Sequence, residues 1–135
     1  MTVDDLREFL HREFAEAFDD GGFTIASAQD GQVRLLQAYH PKMLRPGGTI
    51  SGPTLMALAD IALYVAVLSA IGPVGLAATT QLSINFLRKA PADADLIAEA
   101  KLLKRGKRLA MGEVSLYSAG SEKLVAHVTG TYSIP

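Results

Sequence analysis

Arg45-Pro-Gly-Gly-Thr-Ile-Ser51-Gly52-Pro53 runs without a break into Thr54-Leu-Met-Ala-Leu-Ala-Asp60-Ile-Ala-Leu-Tyr-Val-Ala-Val-Leu68. A small-residue turn, a proline suited to a first helical turn and a long apolar run describe one helix with an open N-terminus. Such a terminus carries unpaired N–H groups and partial positive charge, so it can hold an anion or a developing oxyanion. Gly52 has no side chain to obstruct that approach, and Ser51 or Thr49 can supply the capping oxygen.

From Thr54 to Ala70 the run is apolar on every side, the pattern of a helix surrounded by protein. Past the first turn, Asp60 and Ser69 are almost its sole polar side chains. A buried carboxylate needs hydrogen-bond partners, a raised pKa or a solvent-reaching pocket. An Asp satisfied by backbone or hydroxyl donors and an Asp aimed into a cleft as base or nucleophile fit this pattern about equally well.

Gly52 and Asp60 stand eight positions apart, which at ~1.5 Å per residue separates them by roughly 12 Å along one helix. An oxyanion donor and a base must both lie within about 3 Å of the reacting centre. If both act, Gly52 of one subunit must face Asp60 of another, so this chemistry predicts a homodimer with shared sites.

At 135 residues the chain reads as one domain, 1–135, with a helix over 1–20 and a core over 21–135. Its hydrophobic fraction of 49% against 20% charged residues suits burial against copies of itself, as a homodimer and, by pairing of dimers, a homotetramer. No cysteine excludes a disulfide framework, a Cys-ligated metal and a thiol nucleophile. A formal net charge of −1 offers nucleic acid or an anionic membrane no general attraction. The start, Met1-Thr-Val-Asp-Asp-Leu-Arg-Glu8, is acidic and amphipathic rather than signal-like, and Asp60 and Gly72-Pro73 interrupt the longest apolar stretch, so a cytoplasmic protein without a membrane span is expected.

Thr2 to Asp19 has Val3, Leu6, Phe9, Leu10, Phe14 and Phe18 at helical spacing, and Gly21-Gly22 ends the run. Phe23–Ala28 and Gln32–Tyr39 read as strands joined by the hairpin signal Asp30-Gly31. After the central helix, Leu76–Leu87 alternates, with Thr79, Gln81, Ser83 and Asn85 expected on one face and Thr80, Leu82, Ile84 and Phe86 on the other. Leu96–Leu103, Arg108–Tyr117 and Lys123–Ile134 follow, and a four-strand meander wrapped around one apolar helix is the economical arrangement.

These residues resemble the hotdog-fold acyl-CoA thioesterases of the phenylacetic-acid-pathway, PaaI-like branch. The resemblance rests on Met43-Leu44, Ser51-Gly52-Pro53, Leu58-Ala59-Asp60, the strand Ser83-Ile-Asn-Phe-Leu-Arg88 and the hairpin Gly106-Lys107. It implies an α+β hotdog fold: an antiparallel sheet wrapped around a long central helix, here with an extra N-terminal helix. It further implies hydrolysis of a small or medium acyl-CoA, aromatic ones included, with coenzyme A as part of the substrate and with neither cofactor nor metal.

Carried over residue by residue, Asp60 matches the family's catalytic acid and Gly52 the glycine whose N–H polarises the thioester carbonyl. Thr79 lies where a Ser or Thr assists the water. Arg88, Lys89, Lys104, Arg105 and Lys107 are basic residues at strand ends where the family holds the nucleotide, and Arg45, Pro53, Thr80 and Gln81 complete the expected substrate surface. Each of these charges also fits a solvated turn. Arg45 replaces the usual Asn, Ser51 the usual His and Pro53 the second Gly; Pro53 leaves the Gly52 N–H intact, whereas a Ser hydroxyl is shorter than an imidazole and does not titrate near neutral pH. The Ser51 exchange motivates an alternative, a non-catalytic acyl-CoA-binding hotdog domain. A hydratase or dehydratase is a further alternative, which would need a catalytic His, and the histidines here are His11, His40 and His127.

Overall fold

The computed structural model describes residues 1–15, 21–74 and 76–135. Helix α1 (Val3–Glu13) starts in a capping box, with Thr2 accepting from the Asp5 N–H and Asp5 accepting in return. It stops short of the expected Asp19. Phe14 leaves the helix at φ −142°, ψ 37°, while its ring packs 5.9 Å from that of Tyr64. Phe18 and the end of that expected helix lie outside the described residues.

β1 (Phe23–Gln29) and β2 (Gln32–Gln37) form the hairpin announced by Asp30-Gly31, whose φ values of 39° and 85° give the left-handed pair of a type I′ turn. A short 3-10 turn (Pro41–Met43) leads to α2 (Gly52–Ile71), capped by Ser51 and wrapped by the sheet. β3 (Ala78–Phe86), β4 (Leu96–Arg105), β5 (Leu109–Ser118) and β6 (Leu124–Ser133) complete one antiparallel sheet in the order β1-β2-β4-β5-β6-β3. α2 is long and apolar enough to cross a membrane by length and composition, but here it is the core helix.

The strand order corrects the expected four-strand meander. β4, β5 and β6 do follow one another, but β3 joins the far side of β6 and forms an edge. Tight turns join β4 to β5 and β5 to β6, whereas the link from Leu87 to Asp95 is long enough to cross the sheet end, where Ala90 accepts from the Ile50 N–H.

Contact between α2 and the sheet depends on two glycines. Gly112 on β5 and Gly130 on β6 are register partners. A Cβ at Gly112 would stand 2.6 Å from Leu63 Cδ1 and 2.8 Å from the Lys101 carbonyl, and one at Gly130 would stand 2.7 Å from Leu63 Cδ2. The pair is therefore a notch that receives Leu63. Leu63 can change rotamer, but the Lys101 carbonyl cannot move without disturbing the ladder. Gly112→Ala is expected to cost about 1–3 kcal/mol through overpacking, read as a lower denaturation midpoint at unchanged m. A midpoint equal to wild type would mean that α2 stands further from the sheet.

Candidate active site

Asp60 sits in the middle of α2, and its Oδ1 accepts two short hydrogen bonds, from Thr79 Oγ1 at 2.6 Å and from the Tyr132 hydroxyl at 2.6 Å. The phenol also lies 2.9 Å from the backbone carbonyl of Asp60. Of the two explanations for an acid in an apolar helix, hydroxyl donors and an opening to a cleft, the molecule has both. A cavity of about 210 Å³ adjoins the carboxylate, lined by Phe14, Ile61, Tyr64, Thr79 and Tyr132 among others.

The two hydroxyls come from facing strands, because Thr79 and Tyr132 are register partners across β3 and β6. The pairing depends on a bulge. Gln81 faces Thr131 while Thr79 faces Tyr132, so Thr80 is the extra residue and Thr79 turns to the helix side, as Leu82 does. This corrects the expectation that Thr79 shares a face with Gln81. Thr80 instead donates to the Thr131 carbonyl, and Gln81 is exposed.

Tyr132 was not among the expected site residues. In the sequence it is one aromatic in an alternating strand, and the matching signal, a polar-tipped aromatic packed beside a half-buried acid, requires the strand order to be known. It is 3% exposed. Burial, with the Asp60 hydrogen bond adding to it, pushes the phenol far above the ordinary tyrosine range, so it is a donor at all working pH values. Tyr64 is raised as well, by burial and then by the negative charge of Glu13.

Ser51 is the helix cap: its Oγ accepts from the Thr54 N–H and shares a 2.8 Å hydrogen bond with Thr54 Oγ1. Beside it, the Gly52 N–H has no partner among the described residues. The Phe86 ring packs on Gly52, and a Cβ there would stand 3.2 Å from it. Gly52 opens into a second cavity of about 510 Å³, lined by Arg45, Leu55, Phe86, Arg88 and Lys89 among others. Three cations and an apolar wall thus meet at the positive end of α2, away from the cavity of Asp60. Pro53 lies in the first turn of the helix.

The remaining basic residues are elsewhere. Arg105 donates to the Ala70 carbonyl at 2.7 Å and pairs with Asp30 at 3.5 Å, so it caps the opposite end of α2 from Gly52. Lys104 and Lys107 are exposed at the β4–β5 hairpin, whereas Arg88, at the Gly52 cavity, donates to the Leu124 carbonyl. No histidine lines either cavity: His40 caps the 3-10 turn, His127 pairs with Glu113 and His11 lies on α1. Among the described residues no cluster of His, Cys, Asp or Glu could hold a metal ion.

The sequence model of the thioesterase superfamily matches residues 47–125, which include Gly52, Asp60 and Thr79. A solved structure of a protein from Silicibacter sp. TM1040, provisionally named a thioesterase, is 41% identical over all of this chain and 92% of that one, with a TM-score of 0.90. A mutant form of the phenylacetic acid degradation protein PaaI from Thermus thermophilus is 27% identical, covers 87% of this chain and 96% of that one, and has a TM-score of 0.76. A protein of Halobacterium salinarum provisionally named an esterase is 36% identical over 100 residues, 70% of this chain; the match spans 65% of that relative's length.

The raised phenol has a consequence for stability. Above the ordinary tyrosine value of 10.0 the unfolded chain loses this proton while folded Tyr132 keeps it, so its contribution to stability declines as pH rises beyond that point. Tyr132→Phe is expected to flatten the alkaline fall of the denaturation midpoint. A slope identical to wild type would show that the phenol ionises as freely in the folded protein as in the unfolded one.

Proposed function

Since the chain belongs to the thioesterase superfamily, we propose that it hydrolyses the thioester of a small or medium acyl-CoA in the cytoplasm. The observation that carries this reading is the Asp60 carboxylate, held by two hydroxyls at the edge of a cavity on an otherwise apolar helix. Asp60 takes a proton from water, and the water oxygen attacks the thioester carbon. The carbonyl oxygen becomes an oxyanion facing the Gly52 N–H at the positive helix end. Collapse breaks the carbon–sulfur bond, and the proton passes from Asp60 to the departing CoA thiolate. Thr79 Oγ1, already donating to Oδ1, retains lone pairs that can accept from the same water.

Two supports bear on assembly. Gly52 and Asp60 open into separate cavities of one chain, and the edge strand β3 leaves one side of its backbone unpaired and largely exposed, ready for a second copy. In this reading the working unit is at least a homodimer, in which Gly52 of one subunit serves Asp60 of the other. Arg45, Arg88 and Lys89 around the Gly52 cavity suit the phosphates of coenzyme A. The reading requires no cofactor.

Asp60→Asn keeps the shape but cannot accept the proton, so turnover should fall ~100-fold or more while CoA affinity and melting temperature change little. A folded Asp60→Asn protein hydrolysing its best acyl-CoA near the wild-type rate would end this mechanism, and the non-catalytic acyl-CoA-binding domain would take its place if CoA still bound. Sharing of sites has its own test. Gly52→Val should block approach to the helix end, and subunits of Gly52→Val refolded with Asp60→Asn should regain activity, because one site of each mixed dimer keeps an intact Gly52 and an intact Asp60. No recovery on mixing would refute shared sites.

A further inference from the structure

A carboxylate has two oxygens, and at Asp60 both hydroxyl donors converge on one of them. Thr79 Oγ1 and the Tyr132 hydroxyl each stand 2.6 Å from Oδ1, and among the described residues no donor reaches Oδ2. We propose that Tyr132 is the positioning residue of Asp60: its buried hydroxyl fixes Oδ1 and the helix backbone together, so that Oδ2 is the oxygen presented to the reacting water. The proposal rests on the reading of Asp60 as the catalytic carboxylate.

The χ2 torsion of an aspartate is broad and roughly two-fold, so an untethered carboxylate would present either oxygen in several orientations. One donor leaves it free to swing about that contact. Two donors on Oδ1 remove most of the freedom, and the phenol adds a contact 2.9 Å from the carbonyl of the same residue, so side chain and backbone share one anchor. The single phenolic hydrogen cannot be given fully to both oxygens; the charged carboxylate at 2.6 Å is the stronger acceptor.

Tyr132 and Thr79 contribute differently. Tyr132 is buried on β6, which has neighbours on both sides, and its ring lies 6.1 Å from that of Tyr64. Thr79 belongs to the exposed edge strand. The phenol is thus the fixed member of the pair. Its raised pKa keeps the proton in place, so the anchor persists throughout the pH range in which a thioester is handled.

The test compares Tyr132→Phe, Asp60→Asn and wild type with the acyl-CoA that the wild type hydrolyses best. Tyr132→Phe removes the hydroxyl and keeps the ring, so kcat should fall about 10-fold with KM nearly unchanged, as for loss of one hydrogen bond to a charged group. A carboxylate that loses a donor becomes more basic, so the acid limb of the kcat/KM profile should move to higher pH. A merely structural role for Tyr132 would lower the melting temperature or the active fraction without moving that limb. If Tyr132→Phe folds poorly, 3-fluorotyrosine placed at position 132 keeps the hydroxyl, makes it a stronger donor and should move the limb the other way.

A folded Tyr132→Phe enzyme with wild-type kcat and an unmoved limb, beside an inactive Asp60→Asn, would overturn the proposal and leave the Asp60 reading standing. A limb that stays in place with 3-fluorotyrosine would overturn it as well. An active Asp60→Asn would remove the Asp60 reading and this proposal together.

Discussion

A helix without a polar face is stable in water only when protein covers most of it, and α2 is such a helix, exposed only at Pro53, Met56 and Ala57 near its start. The six strands meet that demand by curling around it, and Leu63 enters the notch left by Gly112 and Gly130. Asp60, half-buried beside an exposed stretch of the helix, takes its side-chain donors from groups that the sheet brings inward. Asp60 is satisfied in this way by hydroxyls from β3 and β6, the two strands at one side of the sheet. Burial of the helix and preparation of its carboxylate are consequences of the same packing.

The geometry of α2 also divides labour along its length. Its first turn presents Gly52 to a cavity with Arg45, Arg88 and Lys89, where the helix dipole and the side-chain charges have the same sign. Its middle presents Asp60 to a smaller aromatic-walled cavity. Placing the acid directly at the positive helix end would stabilise its charge and weaken it as a base. Under the proposed mechanism, the roughly two-turn separation would keep both groups effective once a second helix end is brought opposite the acid.

Most of the fold was legible in the residues. Asp30-Gly31 marked the hairpin because Asp and Gly tolerate the positive φ values of a type I′ turn, and the central helix was marked by a capped start and an uninterrupted apolar run. Asp60 stood out because a charge in such a run requires a reason. The strand order did not stand out, since an edge strand next to β4 and one next to β6 carry the same alternation. The inward turn of Thr79 was hidden for a related reason: strict alternation assigns it to the face of Gln81, and the single extra residue at Thr80 reverses that assignment. Arg105 resembled any basic turn residue until the end of α2 was found beside it.

The bulge at Thr80 links these observations. Without it the pairing that places Leu82 against Gly130 would set Thr80 against Tyr132 and turn Thr79 outward, and Oδ1 would lose one of its two donors. β3 is also the strand whose free edge is available to a second copy. Strand pairing across such an interface restricts the twist and register of the edge, and here the register decides where Thr79 points. In the proposed homodimer, assembly and orientation of the acid would be coupled through this one strand: the contact that would bring a partner's Gly52 opposite Asp60 would also hold in place the hydroxyl beside that acid.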